Sequence, residues 1–137
     1  MMRTVLFFLL CSTQFIVNAQ SKFKNISSLD SSSVTVKIVM LGADWCTICK
    51  ANETEIEKKQ FLNNVYFTEV GFFKLNESHT EPISFNGTMY FFEQTGFNEG
   101  THQLVGTLFS ELEHSYPTFL FFNSQNHLID SWDGFIN

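Results

Sequence analysis

Apolar and polar positions along the chain sort into short β-prone runs and two stretches with helical character. Val34 to Leu41 is β-branched and near-continuously apolar after Lys37, the pattern of a strand covered on both faces of a sheet. Gly42-Ala43-Asp44 turns the chain. From about Cys46 to Leu62 the composition is helical, with Ala51, Glu53, Glu55, Glu57, Lys58 and Lys59. Its apolar positions, Ile48, Ile56 and Phe61, are sparse, so it reads as a surface helix with a solvated charged face. Val65 to Leu75 is apolar and aromatic, and Glu69 to Leu75 reads as a second core strand. Ile83-Ser84-Phe85 and Thr88 to Phe92 flank Asn86-Gly87, which predicts a hairpin with a type I′ turn. Leu104, Val105, Leu108, Phe109 and Leu112 repeat at helical spacing, predicting an amphipathic helix over roughly 101–113. Thr118 to Phe122 is a strand, 123–126 a turn, and His127 to Trp132 the antiparallel partner strand. The order is strand, helix, strand, inserted hairpin, helix, strand, strand: an α/β chain with a mixed central sheet flanked by helices. No internal repeat and no second domain is visible.

The ends change this picture. Residues 1–19 read as a secretory signal: Arg3 supplies the positive start, Val5 to Leu10 and Phe15 to Val17 the apolar region, and Val17-Asn18-Ala19 the cleavage site. Ser12, Thr13 and Gln14 break the apolar run, so it is too short to span a bilayer stably. Acylation of Cys11 is the alternative, but bulky Leu10 stands where a small residue is expected. The expected location is therefore secreted or periplasmic. Residues 20–33 are polar and serine-rich and read as a frayed lead-in; residues 34–137 form the folded domain.

Composition narrows the partners. The formal net charge is −6, with no basic patch to meet phosphates, which argues against nucleic acid. A hydrophobic fraction of 44%, with 17 phenylalanines, is ample for the core of one small domain. With Cys11 removed, two cysteines remain, which suits an oxidising compartment.

Those two, in Trp45-Cys46-Thr47-Ile48-Cys49-Lys50, carry the candidate chemistry. If a helix begins at Cys46, its sulfur sits over the unpaired N–H groups of the first turn, at the positive end of the dipole. That field favours the thiolate, the reactive species. Cys49, one turn in and more buried, can attack a mixed disulfide held on an exposed Cys46. Such exchange needs no cofactor. The motif alone is also compatible with a stapling disulfide or half of a zinc site. Zinc needs four ligands, and His79, His102, His114 and His127 are scattered without ligand-like spacing, so no metal is expected. Four N-x-[ST] triplets, at Asn25, Asn52, Asn76 and Asn86, read as incidental to an Asn-rich chain.

Three stretches resemble the thioredoxin superfamily. Ala43-Asp44-Trp45-Cys46-Thr47-Ile48-Cys49-Lys50 is similar to its W-C-x-x-C-K site at the end of a buried strand. Lys74-Leu75-Asn76 resembles the ending of its next core strand, and Tyr116-Pro117-Thr118 its cis-proline loop. The resemblance covers roughly residues 34–135, and the leader and insert are similar to small exported thioredoxin-like proteins of Bacteroidetes-type bacteria. It implies that Cys46 is the attacking thiol and Cys49 the resolving one. It implies a cis Pro117, and places Trp45, Tyr116 and Pro117 on the surface that docks protein thiols or disulfides and an unidentified redox partner. Lys74, Thr47 and Ile48 would support the site, Lys74 by tuning the field or as a plain surface lysine.

The sequence departs from that family in three places. Met40 stands where thioredoxin has a buried Asp six residues before the first cysteine. Thr47-Ile48 replaces Gly-Pro, leaving the direction of electron flow open. The chain stops where the family usually adds a last helix. The insert, Glu77 to Glu99, either shapes substrate choice or is decoration. Two readings follow: an exported thiol–disulfide oxidoreductase, or a non-catalytic binding module on the same fold with a structural disulfide.

Overall fold

The computed structural model describes residues 23–58, 69–110, 112 and 115–135. The leader, the predicted helix end at Leu62, the start of the apolar stretch at Val65 and the predicted helix end at 113 lie outside the described residues.

The central sheet has five strands: β1 (Phe23–Lys24), β2 (Val36–Gly42), β3 (Val70–Asn76), β8 (Thr118–Asn123) and β9 (Leu128–Asp133), in the order β1-β3-β2-β8-β9. β1 and β2 pair with β3 in parallel; β8 runs antiparallel to β2, and β9 antiparallel to β8. α1 (Thr47–Lys58) lies between β2 and β3 in sequence, as a parallel pair requires. Two small hairpins follow β3: β4 (Ile83–Phe85) with β5 (Thr88–Tyr90), then β6 (Phe92–Gly96) with β7 (Glu99–His102). α2 (Gln103–Leu108) leads to β8.

β2 shows why the sheet is covered on both faces. Val39 and Leu41 point to one side, where they pack with Phe73, Leu75, Leu120 and Phe122 of the sheet, Ile83 and Phe85 of the first hairpin, and Leu104 and Val105 of α2. Met40 points to the other, where it meets Phe119 of β8 and Ile56 of α1. Each fully buried Leu or Phe of this kind contributes about 2 kcal/mol by leaving water.

Four expectations need correction. Residues 20–33 are not a frayed lead-in over the part described. Phe23 and Lys24 add a strand to the sheet, Asn25 caps a 3-10 turn at Ile26–Ser28, and Ile26 and Leu29 are buried in the main core. The insert holds two hairpins, not one; the second turns through Asn98, at φ 56°. The amphipathic helix starts at Gln103 rather than 101, because the His102 ring accepts the Leu104 N–H and caps it. On α1 the buried face is Cys49, Asn52 and Ile56, while Ile48 is exposed. Asn52 is fully buried and donates to the Gly134 carbonyl, so its triplet is closed to modification. The Asn86-Gly87 turn is as expected, both residues at positive φ (52° and 75°).

Candidate active site

The site is built where β2 ends. Gly42 pairs with Asn76, so the parallel register brings the residues that follow each strand to one edge of the sheet. Beyond Gly42, the Cys46 N–H bonds the Ala43 carbonyl and closes a tight turn. Asp44 accepts from the Asn76 amide and the Ser78 hydroxyl at 2.8 and 2.7 Å, which ties this turn to the end of β3.

Cys46 occupies the N-terminal cap of α1. Its Sγ accepts the Cys49 N–H at 3.1 Å, the bond a cap oxygen would normally accept. Cys46 and Cys49 form a disulfide across this first turn, their Cα atoms 5.2 Å apart. The Tyr116–Pro117 peptide is cis, and the Tyr116 side chain packs on Ala43, Cys46 and Cys49. Pro117 is itself buried, with its carbonyl accepting the Gly134 N–H. Two stretches far apart in sequence, the turn from β2 into α1 and the residues preceding β8, thus meet around one sulfur pair.

The candidate residues fall into three groups. Cys46, Cys49, Trp45, Tyr116 and Pro117 come together. Trp45 is 70% exposed, and its ring lies 5.9 Å from that of Tyr116. Thr47 and Ile48 sit on the exposed first turn of α1, Ile48 adding an apolar spot at the rim. Lys74 donates to Glu53 of α1 at 3.0 Å and lies over the Phe23 ring, a tether between strand and helix. Cys46 was expected to be exposed, yet only 4% of its surface is open, because Tyr116 and the surrounding turn cover it. Met40 is buried among Phe119 and Ile56, so that position carries no proton-transferring group.

Sequence reasoning missed Glu77. Its backbone N–H bonds the Gly42 carbonyl and its own carbonyl accepts the His102 N–H, so its position is fixed between β2 and β7. Its carboxylate takes two donors, Trp45 Nε1 at 3.1 Å and Tyr116 Oη at 3.0 Å. Burial first, then this bond and the carboxylate's charge, push the Tyr116 phenol well above its ordinary range, so it stays a protonated donor. Only the β2–β3 register marks it out: Glu77 directly follows Asn76, the partner of Gly42. His79 and His102, read as scattered, meet edge to face with ring centroids 5.6 Å apart, with His102 buried; among the described residues no three potential ligands gather as a metal site. Nor, among them, is any helix long and apolar enough to cross a membrane.

No family profile matches the sequence, and no curated protein is significantly similar to it. Solved structures are similar in shape. A thioredoxin-fold protein from Helicobacter pylori superposes with a TM-score of 0.56 at 13% identity, over 88% of this chain and 71% of that one. Thioredoxin f2 from Chlamydomonas reinhardtii superposes with a TM-score of 0.50 at 16% identity, over 80% of this chain and 82% of that one. At such identities the likeness shows the fold: this chain has the thioredoxin fold, with a disulfide between Cys46 and Cys49.

Proposed function

We propose that this thioredoxin-fold chain is an exported thiol–disulfide oxidoreductase that exchanges disulfides with protein partners through Cys46 and Cys49. One observation carries the reading: the sulfur pair lies at the first turn of α1, against the side chain that precedes cis Pro117. In the reduced state, Cys46 as thiolate attacks one sulfur of a partner disulfide. That S–S bond breaks, a Cys46–partner disulfide forms, and the partner's other sulfur leaves and takes a proton. Cys49, deprotonated in turn, attacks Cys46 Sγ, restores the Cys46–Cys49 bond and releases the partner as a dithiol. Two electrons and two protons pass to the partner; the reverse sequence oxidises a dithiol. The Cys49 N–H and the helix dipole stabilise the Cys46 anion. Met40 in the neighbouring strand cannot carry the Cys49 proton, so water or another group does.

Export rests on the charged, apolar and small-residue pattern of residues 1–19. N-terminal sequencing of the expressed protein tests it, with Gln20 as the expected first residue. Activity is tested by reduction of an insulin-type disulfide with a dithiol as the electron source. Cys46→Ser is expected to be inactive, and Cys49→Ser to accumulate a mixed disulfide. Equal rates for the parent and Cys46→Ser refute the mechanism.

A second reading, a binding module stapled by this disulfide, is favoured by the near-complete covering of Cys46 and by apolar Met40. A reduction potential below about −300 mV, or a Cys46 thiol titrating near the ordinary value of about 8.5, supports the staple instead.

A further inference from the structure

Trp45 is largely in water, yet Cys46 next to it is not. The difference comes from what holds the aromatic pair in place. Tyr116 lies on the disulfide, wedged between Phe109 at 5.6 Å and Trp45 at 5.9 Å. Both donors of the pair, the indole N–H and the phenol O–H, end on the same carboxylate. That carboxylate belongs to a backbone fixed on both sides, so the aromatics are the movable partners. A disulfide exchanges only when another sulfur makes contact with it, and Cys46 shows 4% of its surface.

We propose that Glu77 is a positioning residue of the exchange site: its carboxylate holds Tyr116 over Cys46 and ties it to Trp45, and this clasp opens before another sulfur reaches Cys46 Sγ. The inference rests on the reading of Cys46 as the attacked sulfur. Glu77 does not touch the reacting atoms; it acts through the two rings. A carboxylate suits this task because it accepts from two donors and offers none. Such charge-assisted bonds are stronger than neutral ones; the one to Trp45 is exposed and the one to Tyr116 only part-buried, so the rings are held without being sealed. Trp45 is thereby presented outward, and with Ile48 it forms an apolar rim that a partner's side chain can engage while displacing the clasp.

The test is the rate at which dithiothreitol reduces the Cys46–Cys49 bond in the full chain, followed by acid quench, alkylation and mass. One dithiothreitol sulfur attacks Cys46 Sγ and releases Cys49 as thiolate. Its second sulfur then closes the cyclic disulfide and leaves two protein thiols. Tyr116→Phe is expected to raise the second-order rate constant about fivefold, the scale of one net hydrogen bond, and Glu77→Ala, which removes both bonds, by more than that. Glu77→Gln is expected to stay within about twofold of the parent, because its amide oxygen accepts the indole N–H and its NH2 donates to the phenol oxygen. Two results overturn the proposal: a Tyr116→Phe rate equal to the parent's, or a Glu77→Gln rate as high as that of Glu77→Ala, which marks a charge effect on the attacking anion. Should Glu77→Ala fail to fold, Tyr116→Phe and Glu77→Gln still decide it. These rates require no protein partner. A chain inert toward insulin but showing this order therefore refutes the exchange reading and leaves the clasp in place.

Discussion

The two ends of β2 each gather polar groups around the sheet, and they do so for opposite ends. At the Gly42 end the polar atoms are a sulfur pair and two carboxylates, Asp44 and Glu77, that hold turns and rings near solvent. At the Val36 end, Lys37 is fully buried. Its ammonium donates to the Leu29 carbonyl at 2.6 Å and to Asn126 Oδ1 at 2.7 Å. The amide of Asn126 passes on to Asp30, which also accepts from Ser84 Oγ and from the Asn86 and Gly87 N–H groups of the first hairpin. That network joins the N-terminal segment, the insert and the β8–β9 turn. Its bonds run between all three, so it locks three loops at once. On the proposed exchange reading, the Gly42 end holds a bond that breaks, and the Val36 end holds none that needs to.

The sharpest way to separate the ends is to disable each in turn. Cys46→Ser removes the attacked sulfur, and insulin reduction is expected to fall to the uncatalysed rate, while the fold persists by circular dichroism. Asp30→Ala should do the reverse. It removes the charge that faces buried Lys37 through Asn126 and the acceptor of the Asn86 and Gly87 N–H groups, a loss of about 2 kcal/mol by urea unfolding. Exchange activity per folded molecule should stay at the parent value. Lys37→Met should cost less than Asp30→Ala, since it removes the buried charge instead of stranding it. A drop in activity with Asp30→Ala would mean that the two ends are coupled.

Acid is the next probe, and it reaches both the Val36 end and the insert. Burial pushes the Asp30 carboxyl up, but bonds from Gly87, Ser84 and Asn86, with the Lys37 charge, outweigh it and hold the group below its ordinary 3.8. A depressed carboxylate gives stability that is complete above pH 3.8 and is lost as pH falls through the folded value. Burial likewise lowers His102 from 6.5, with the Glu81 carbonyl raising it and His79 lowering it. The neutral ring is thus the folded form, and its Nδ1 cap on α2 is complete above pH 6.5 and lost below. The melting temperature is expected to decline first below pH 6.5 and again below 3.8. His102→Gln should flatten the first decline, because an amide can accept the Leu104 N–H and donate to Glu81.

The Gly42 end was the more legible of the two in sequence. Trp45-Cys46 and Cys49, a strand before them and Tyr116-Pro117 downstream are local patterns, and their resemblance to the thioredoxin superfamily implied that they meet. The hairpin at Asn86-Gly87 was legible because its turn needs positive φ at both residues. Glu77 was not, because its role depends on the β2–β3 register rather than on its neighbours in sequence. The Lys37 network was also hidden. A lysine in an apolar strand reads as a strand edge, and its partners lie 8 and 89 residues away. Ile26 and Leu29 carried a helical i, i+3 spacing, but the surrounding serines masked it. The second hairpin lacks strong alternation, since Glu93, Gln94 and Thr95 are all exposed.

The smallest expected effect lies at the junction of strand and site, and it tests whether the Gly42 end is built for a change of redox state. A methyl group at Gly42 would stand 3.2 Å from Cys49 Sγ, tighter than ordinary contact, and 3.5 Å from its Cβ. In the disulfide form Cys49 Sγ is held by Cys46 and has no room to yield. In the dithiol form it can rotate away. Gly42→Ala should therefore penalise the oxidised state selectively, by about 1 kcal/mol, the low end for overpacking. For a two-electron couple that raises the reduction potential by about 20 mV, measurable by equilibration against glutathione. Thermal stability of the dithiol form should hold or rise slightly, since alanine restricts the unfolded chain. An unchanged potential with lower stability in both states would show that the methyl group strains the sheet rather than the sulfur pair. The Gly42 end would then be as rigid a lock as the Lys37 end.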